Sequence, residues 1–310
     1  MKAVQIHQYG GPEVIEVSDE VHMPSITDSQ VLVEVHAASL NPVDWKFRQG
    51  NMKGAVKRAF PFTLGGDFAG IVVNVGSEVT DLKPGDQVFG SSFIMNGGSG
   101  ALAEFTACNR KNMHLKPDVY FYEAAALPLT GSSAVQALTE QIQLKEGQKI
   151  LIHGGAGGIG SLAIQLAKAM GAKVATTVSK KEKDLVKGLG ADKVINYKKQ
   201  EFDEEIQDYD AVLDTVGGET YRRSFRVLKE GGVINSMLES PDEKLAEEHK
   251  VNALYQHTVV NPQRLSRLSE YIGAKGIKPV IDREFELDTA REAFAYLETH
   301  HCRGKVIIKT

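Results

Sequence analysis

Short apolar runs separated by turn residues fill the first third of the chain, and longer helical stripes alternate with strands after it. Ala3–Ile6, Val31–Val35 and Ala69–Val75 are short, branched and bounded by Gly, Pro, Asp or Ser, which predicts strands. Turns at Lys83-Pro84-Gly85-Asp86 and Gly97-Gly98-Ser99-Gly100 continue the pattern. Strands this short and closely spaced predict a compact antiparallel barrel of about 110–125 residues rather than βαβ units.

From about Glu123 the texture changes. Thr130 to Ile142 reads as a helix, and strands at Ile150, Val174, Val194, Ala211 and Val233 then alternate with helical segments. That alternation predicts an α/β fold with a doubly wound parallel sheet. Polar residues end three of these strands, at Asn196-Tyr197, Asp214 and Asn235, on the carboxyl edge where such sheets bind ligands. Towards the C-terminus Arg264–Ile272 reads as a helix, Lys278–Ile281 as a strand, Asp288 as the cap of a helix through about Leu297, and Lys305–Lys309 as a closing strand. The expected division is 1–124, 125–257 and 258–310, without internal repeats.

The most specific signal lies in Lys149–Gly171, where the apolar strand Ile150-Leu151-Ile152 enters a glycine turn that opens into a helix with an apolar stripe at Leu162, Leu166 and Ala169. Gly155, Gly157 and Gly160 make GxGxxG: a tight turn, a close backbone approach to phosphate, and close packing of helix on strand. The free N–H groups of the helix start then face an anion, so a dinucleotide pyrophosphate is expected there. About 20 residues on, an NAD site wants Asp or Glu against the ribose. This chain has Ser179-Lys180-Lys181-Glu182-Lys183 instead, a hydroxyl and three ammonium groups that suit a 2′-phosphate, so NADPH is expected over NADH.

Composition narrows the function. A chain of 310 residues, 42% hydrophobic and 25% charged, can bury two cores. A net charge of −4 without a basic stripe argues against nucleic acid or an anionic membrane as partner. No apolar run reaches bilayer length and Met1–His7 lacks a signal-peptide core, so the expected compartment is the cytosol. The two cysteines, Cys108 and Cys302, allow one disulfide at most and no cysteine-rich metal site. Packing is their expected role.

Ser39-Leu40-Asn41-Pro42-Val43-Asp44, Leu64-Gly65-Gly66-Asp67-Phe68-Ala69-Gly70, Lys83–Gly90, the glycine turn and Gly304–Ile308 follow one another in the order of a known family. Together with the β-rich front and returning tail, they resemble the medium-chain dehydrogenase/reductase superfamily over nearly the whole chain. The likeness is greatest to the zinc-independent quinone oxidoreductase branch, which includes zeta-crystallin and the plant NADPH-dependent alkenal and enone reductases. It implies a GroES-like β-rich catalytic domain, a Rossmann NADP-binding domain and a C-terminal return to the first. Zinc-dependent alcohol dehydrogenases of this superfamily carry a Cys in the first segment and Gly-His-Glu in the second. Here those places hold Asn41-Pro42 and Gly65-Gly66-Asp67, and the four-cysteine structural lobe is missing, so no metal is expected.

By the same resemblance Asn41 and Asp44 are the expected catalytic residues, holding substrate, water or the amide near the nicotinamide; turn capping is their alternative. Thr130 and Ser133 are expected to offer hydroxyls to the cofactor, with helix N-capping as the alternative for Ser133. Gly155, Ala156, Gly157, Gly158, Ile159 and Gly160 would hold the pyrophosphate. Ser179, Lys180, Lys183 and Tyr197 would meet the adenosine phosphate, and Asp214, Val216, Val259 and Lys305 complete the cofactor set. The chain departs from the family at Ile234-Asn235-Ser236-Met237, where a glycine is usual, and between Glu239 and His257, which is short and includes an exposed helix over 241–250. Adjacent His300, His301 and Cys302 cannot all converge on one tetrahedral ion and are expected in a surface loop.

The implied chemistry is hydride transfer from C4 of reduced nicotinamide to a quinone or to the β-carbon of an enone. No Tyr-x-x-x-Lys pair or Ser/His/Asp set supplies a general acid, so solvent or a cleft hydroxyl is expected to protonate the product. A non-catalytic NADPH-binding or RNA-binding role of the zeta-crystallin type is the alternative; the missing ligands argue against a zinc-type alcohol dehydrogenase. Analogy implies a homodimer through the sheet edge of the nucleotide domain.

Overall fold

Alternating burial along Gln30–Leu40, with Val31, Val33 and Val35 inward and Glu34 and His36 outward, makes this long strand the spine of a seven-stranded sheet. It pairs antiparallel with Asp67–Val75, with Phe105–Asn109 beside its first half, and with Lys305–Lys309 beside its end. Ser39 lies opposite Asp67, and Leu40 opposite Val306. The register therefore gathers Asn41, Asp67 and Lys305 at one end of three strands. Ile281–Glu286 runs parallel to Lys305–Lys309, because the helix Ala290–Leu297 crosses over between them. That helix buries Ala290, Ala293, Phe294 and Leu297 in the same core as Phe47, Phe68 and Ile308.

The structure, a computed structural model, describes residues 1–54, 60–299 and 301–310. Residues 1–129, 260–273 and 281–310 form one compact unit, and 130–259 with 274–280 form the second. The expected unbroken tail from residue 258 is thus interrupted at 274–280.

In the second unit six parallel strands stand in the order Lys193–Asn196, Lys173–Val178, Lys149–His153, Tyr209–Asp214, Leu228–Ser236 and Asn252–Tyr255. Lys149–His153 is central, and its two neighbours are reached by winding in opposite directions. The carboxyl end of this strand is accordingly the switch point where open α/β sheets bind ligands.

The helix expected over Thr130–Ile142 is present from Pro128 and ends in a π-wound turn, Ile142 N–H donating to Ala137 O at 2.8 Å. Two local expectations change. Lys278–Val280 is not a strand: the Gln165 carboxamide donates to Lys278 O and accepts from Lys278 N, and Pro279 has no N–H, so the ladder begins only at Ile281. Asp288 does not cap the last helix; it accepts from the Lys2 ammonium at 2.9 and 3.0 Å. The exposed helix expected after Pro241 is present as Glu243–His249, capped by Asp242. Among the described residues no helix is long and apolar enough to cross a membrane.

Candidate active site

Asn41 stands where the Gln30–Leu40 strand passes into the helix Pro42–Arg48, with proline at the first helical position. The Asp44 carboxylate accepts the Asn41 N–H at 2.7 Å, and Asp44 N–H donates to Asn41 O at 3.0 Å. Asp44 thus does cap its helix. The Asn41 side chain is used elsewhere: Nδ2 donates to Asp67 Oδ2 at 2.9 Å, while Oδ1 accepts from the Lys305 ammonium. An ammonium only donates and a carboxylate only accepts, so these partners fix which end of the amide is which. Lys305 also donates to Leu40 O at 2.8 Å and lies 3.8 Å from Asp67 Oδ2, which takes the Leu129 N–H at 3.1 Å as well.

Asn41, Asp44, Asp67 and Lys305 are each at most 4% exposed, so their charges face one another rather than water. Burial pushes the Asp44 carboxyl up to about 7; the Asn41 N–H opposes this, the Asp67 charge adds to it and Lys305 opposes it. Burial also raises Asp67, against Lys305, Asn41 and the Leu129 N–H, and lowers Lys305, against the two carboxylates. Asp44 Oδ1 and Asp67 Oδ1 are buried with no protein partner. Lys305, assigned to the cofactor by resemblance, thus aims its head group into this cluster. Asp67 was not among the expected site residues; the one sequence signal was its place as the carboxylate of the Gly65-Gly66-Asp67 segment.

In the second unit the central strand ends at His153, and Gly154 turns the chain at φ +68°. A Cβ on Gly155 would lie 2.0 Å from Thr176 Oγ1, and one on Gly160 would lie 2.3 Å from Gly154 O, so both are required by packing. Gly157 differs. With φ −78° at the start of the Gly158–Ala169 helix, its Cβ would meet only Gly154 O at 3.3 Å. That single tight contact is a much weaker packing demand than those at Gly155 and Gly160, and backbone approach to an anion at the helix start is the further reason for a glycine here. Ala156, Gly158 and Ile159 complete the half-buried turn.

His153 carries no sequence signal of its own, although it underlies this turn. Its Nε2 meets Ser224 Oγ at 2.9 Å, and that hydroxyl donates to Thr220 O at 2.7 Å, so Nε2 carries the proton. Nδ1 accepts from Thr177 Oγ1 at 3.0 Å. Burial pushes this imidazole down to about 4, against the charge of Asp214, which keeps it neutral.

Val178 pairs with Asn196, so Ser179 and Tyr197 extend side by side from neighbouring strands. Lys180, Lys183 and Tyr197 are exposed around them. The Ser179 hydroxyl accepts from Lys181 N–H at 3.3 Å and donates to the Glu182 carboxylate, an anion in the middle of the expected cationic patch.

Asp214 organises loops. Its Oδ1 accepts the N–H groups of Val216 and Gly217, each at 2.9 Å, and its Oδ2 accepts from Ser236 Oγ at 2.7 Å. Val216 and Val259 are exposed at the same edge. Ser133 lies inside the Pro128–Val135 helix, so it is not the N-cap; its hydroxyl meets Thr258 Oγ1 at 2.8 Å. Gln136 holds the following loop through His257 O and Val259 N, and Thr130 is buried on the same helix. Asn235, in the segment that departs from the family pattern, donates to Gln256 Oε1 at 2.8 Å.

Both cysteines are free, Cys108 buried and Cys302 partly so. Among the described residues no group of three or more His, Cys, Asp or Glu is placed to hold a metal. His300 lies outside the described residues.

Residues 27–118 match the family model of the alcohol dehydrogenase GroES-like domain, and 189–308 match that of zinc-binding dehydrogenases. A 2-methylene-furan-3-one reductase of Solanum lycopersicum is 40% identical, the match covering 99% of this chain and 79% of that protein. A chloroplastic NADPH-dependent alkenal/one oxidoreductase of Arabidopsis thaliana is 38% identical with the same coverage. The solved quinone oxidoreductase of Coxiella burnetii superposes with a TM-score of 0.91 at 37% identity, covering 100% of this chain and 99% of its own. The chain belongs to the medium-chain dehydrogenase/reductase superfamily, in its quinone-oxidoreductase-like branch, and is an oxidoreductase.

Proposed function

We propose that this oxidoreductase uses NADPH to reduce a quinone or an α,β-unsaturated carbonyl, without zinc. The observation that carries the cofactor reading is the glycine turn at the carboxyl end of the central strand, where Gly157 opens the Gly158–Ala169 helix with far less packing demand on it than on Gly155 or Gly160. Reduced nicotinamide, when bound, supplies a hydride from its C4. The second unit's own task is to hold the pyrophosphate on the N–H groups of Gly158 to Gly160 and the 2′-phosphate on Ser179, Lys180, Lys183 and Tyr197. Asp214 and Gln136 fix the loops that carry Val216 and Val259. For a 2′-phosphate to take the Ser179 hydroxyl, Glu182 must release it.

The zinc-free reading rests on donor chemistry. Asn41 and Gly66 stand where a thiolate and an imidazole would be needed, and the Asn41 oxygen is already bound by an ammonium. With Nδ2 gripped once, by Asp67, Asn41 keeps one amide N–H for substrate. The substrate class is supported by the names of the relatives, a furanone reductase, an alkenal/one oxidoreductase and a quinone oxidoreductase. A homodimer through the sheet edge of the nucleotide domain and a cytosolic location belong to the same proposal, read by sizing and by cell fractionation.

Incubation with NADPH and a panel of 9,10-phenanthrenequinone, benzoquinone, acrolein and 3-nonen-2-one tests the reading. NADPH oxidation by one acceptor class is expected. Saturable NADPH binding with no turnover on any acceptor would favour the non-catalytic alternative.

A further inference from the structure

The Asn41 amide is gripped at both ends, by Asp67 through Nδ2 and by Lys305 through Oδ1. If Asp44, Asp67 and Lys305 were all ionised, two carboxylates would face one ammonium, leaving one negative charge unpaired where exposure is at most 4%. An unpaired buried charge is strongly unfavourable, and a proton on one carboxylate removes it. Asp67 Oδ2 already accepts two N–H groups and faces Lys305, which favours its charged form. Asp44 accepts only one N–H, on Oδ2; the Oδ1 of each carboxyl is buried without a protein partner, so what sets Asp44 apart is that fewer donors hold its charged form, and Oδ1 is its oxygen left for a hydrogen.

Lys305 is the cation that acts on both carboxyls. Arg48, one turn along the Asp44 helix, is committed to Glu298 and to Gly10 O. Cys302, whose charge would act on Lys305, is held neutral because burial raises its thiol.

We propose that Asp67 and Lys305 are positioning residues for Asn41, and that Asp44 carries the single extra proton of the cluster on Oδ1. Loss of that proton creates a second buried anion that competes for the Lys305 ammonium and slackens its hold on Asn41. The catalytic consequence rests on the reading that Asn41 meets the substrate; the proton does not. Burial of Asp44 sets the loss near neutrality.

The test is carbon NMR of the full chain labelled at aspartate carboxyls, from about pH 5 to 9, alongside pH profiles of kcat with NADPH and 9,10-phenanthrenequinone. One buried carboxyl is expected to titrate near neutrality and to vanish in Asp44→Asn. Wild-type kcat falls through the same midpoint, whereas Asp44→Asn is flat across it. Asp67→Asn lowers kcat about tenfold or more at unchanged NADPH affinity, and Asp67→Glu recovers part of it. Spectra with every aspartate ionised from about pH 5 upward, or an alkaline limb unchanged in Asp44→Asn, would overturn the proposal. Should Asp67→Asn not fold, the wild-type spectra and Asp44→Asn still decide. Failure of the wild type to bind NADPH would refute the functional reading, while the NMR titration would still locate the proton.

Discussion

The cluster around Asn41 and the turn after His153 both lie at strand ends, yet they are assembled in opposite ways. The turn is a run of consecutive residues; the demands on Gly157 and Gly160 come from Gly154 a few positions back, and only that on Gly155 comes from a neighbouring strand, through Thr176. The cluster draws residues 41, 44, 67 and 305 from distant segments and is held largely by side chains. Burial in each region shifts one ionisable group towards its neutral form, Asp44 by holding its proton to higher pH and His153 by releasing its proton at lower pH. Backbone-built sites are thus specified locally and side-chain-built sites by register, and their buried groups couple to pH with opposite signs.

The pH contrast gives the largest predicted effect. Asp44 is raised from 3.8 to about 7, so the folded state binds the extra proton; its stabilisation is full below about pH 4 and is lost as pH rises to about 7. His153 is lowered from 6.5 to about 4, so its contribution is full above about pH 6.5 and is lost as pH falls to about 4. Each slope is about 1.4 kcal/mol per pH unit, and they oppose one another between about pH 4 and 6.5. Removing one unmasks the other: Asp44→Asn is expected to gain stability with rising pH over that window, and His153→Asn to lose it, as read by thermal unfolding. Parallel profiles for both variants would break the contrast.

Within the turn, Gly157→Ala is predicted to weaken NADPH binding by about 2–3 kcal/mol while lowering the melting temperature far less than Gly160→Ala does. Gly160→Ala, whose Cβ meets Gly154 O at 2.3 Å, is predicted to lower the melting temperature. If Gly157→Ala destabilised the fold as much as Gly160→Ala, the glycine would be a packing residue. Ser179→Asp with Lys183→Ala is expected to shift preference towards NADH, by placing a carboxylate where the phosphate would sit. The smallest effect is on Glu182: Glu182→Gln frees Ser179 from an anion and should tighten NADPH by about threefold to tenfold without changing NADH affinity. Titrations of both cofactors check these last two.

The glycine turn, the polar ends of the parallel strands and the family motifs were legible in the sequence because each is a local pattern. The Asn41 cluster was visible only in part. Asn41 and Asp44 lie within one short segment, but Asp67 reaches them through the pairing of Ser39 with Asp67, and Lys305 through that of Leu40 with Val306. Register of that kind leaves no mark in neighbouring residues. His153 is hidden for a related reason: its partners Thr177 and Ser224 come from a neighbouring strand and a helix. In the sequence Ser179 looks like a free hydroxyl, because nothing there reveals that Glu182 folds back on it.

Calorimetric titration of the wild-type chain with NADPH and with NADH under identical conditions tests the central claim most directly. The account predicts NADPH at least about tenfold tighter, about 1.4 kcal/mol, with the difference lost in the Ser179→Asp, Lys183→Ala variant. Equal affinities, or tighter binding of NADH by the wild type, would contradict it.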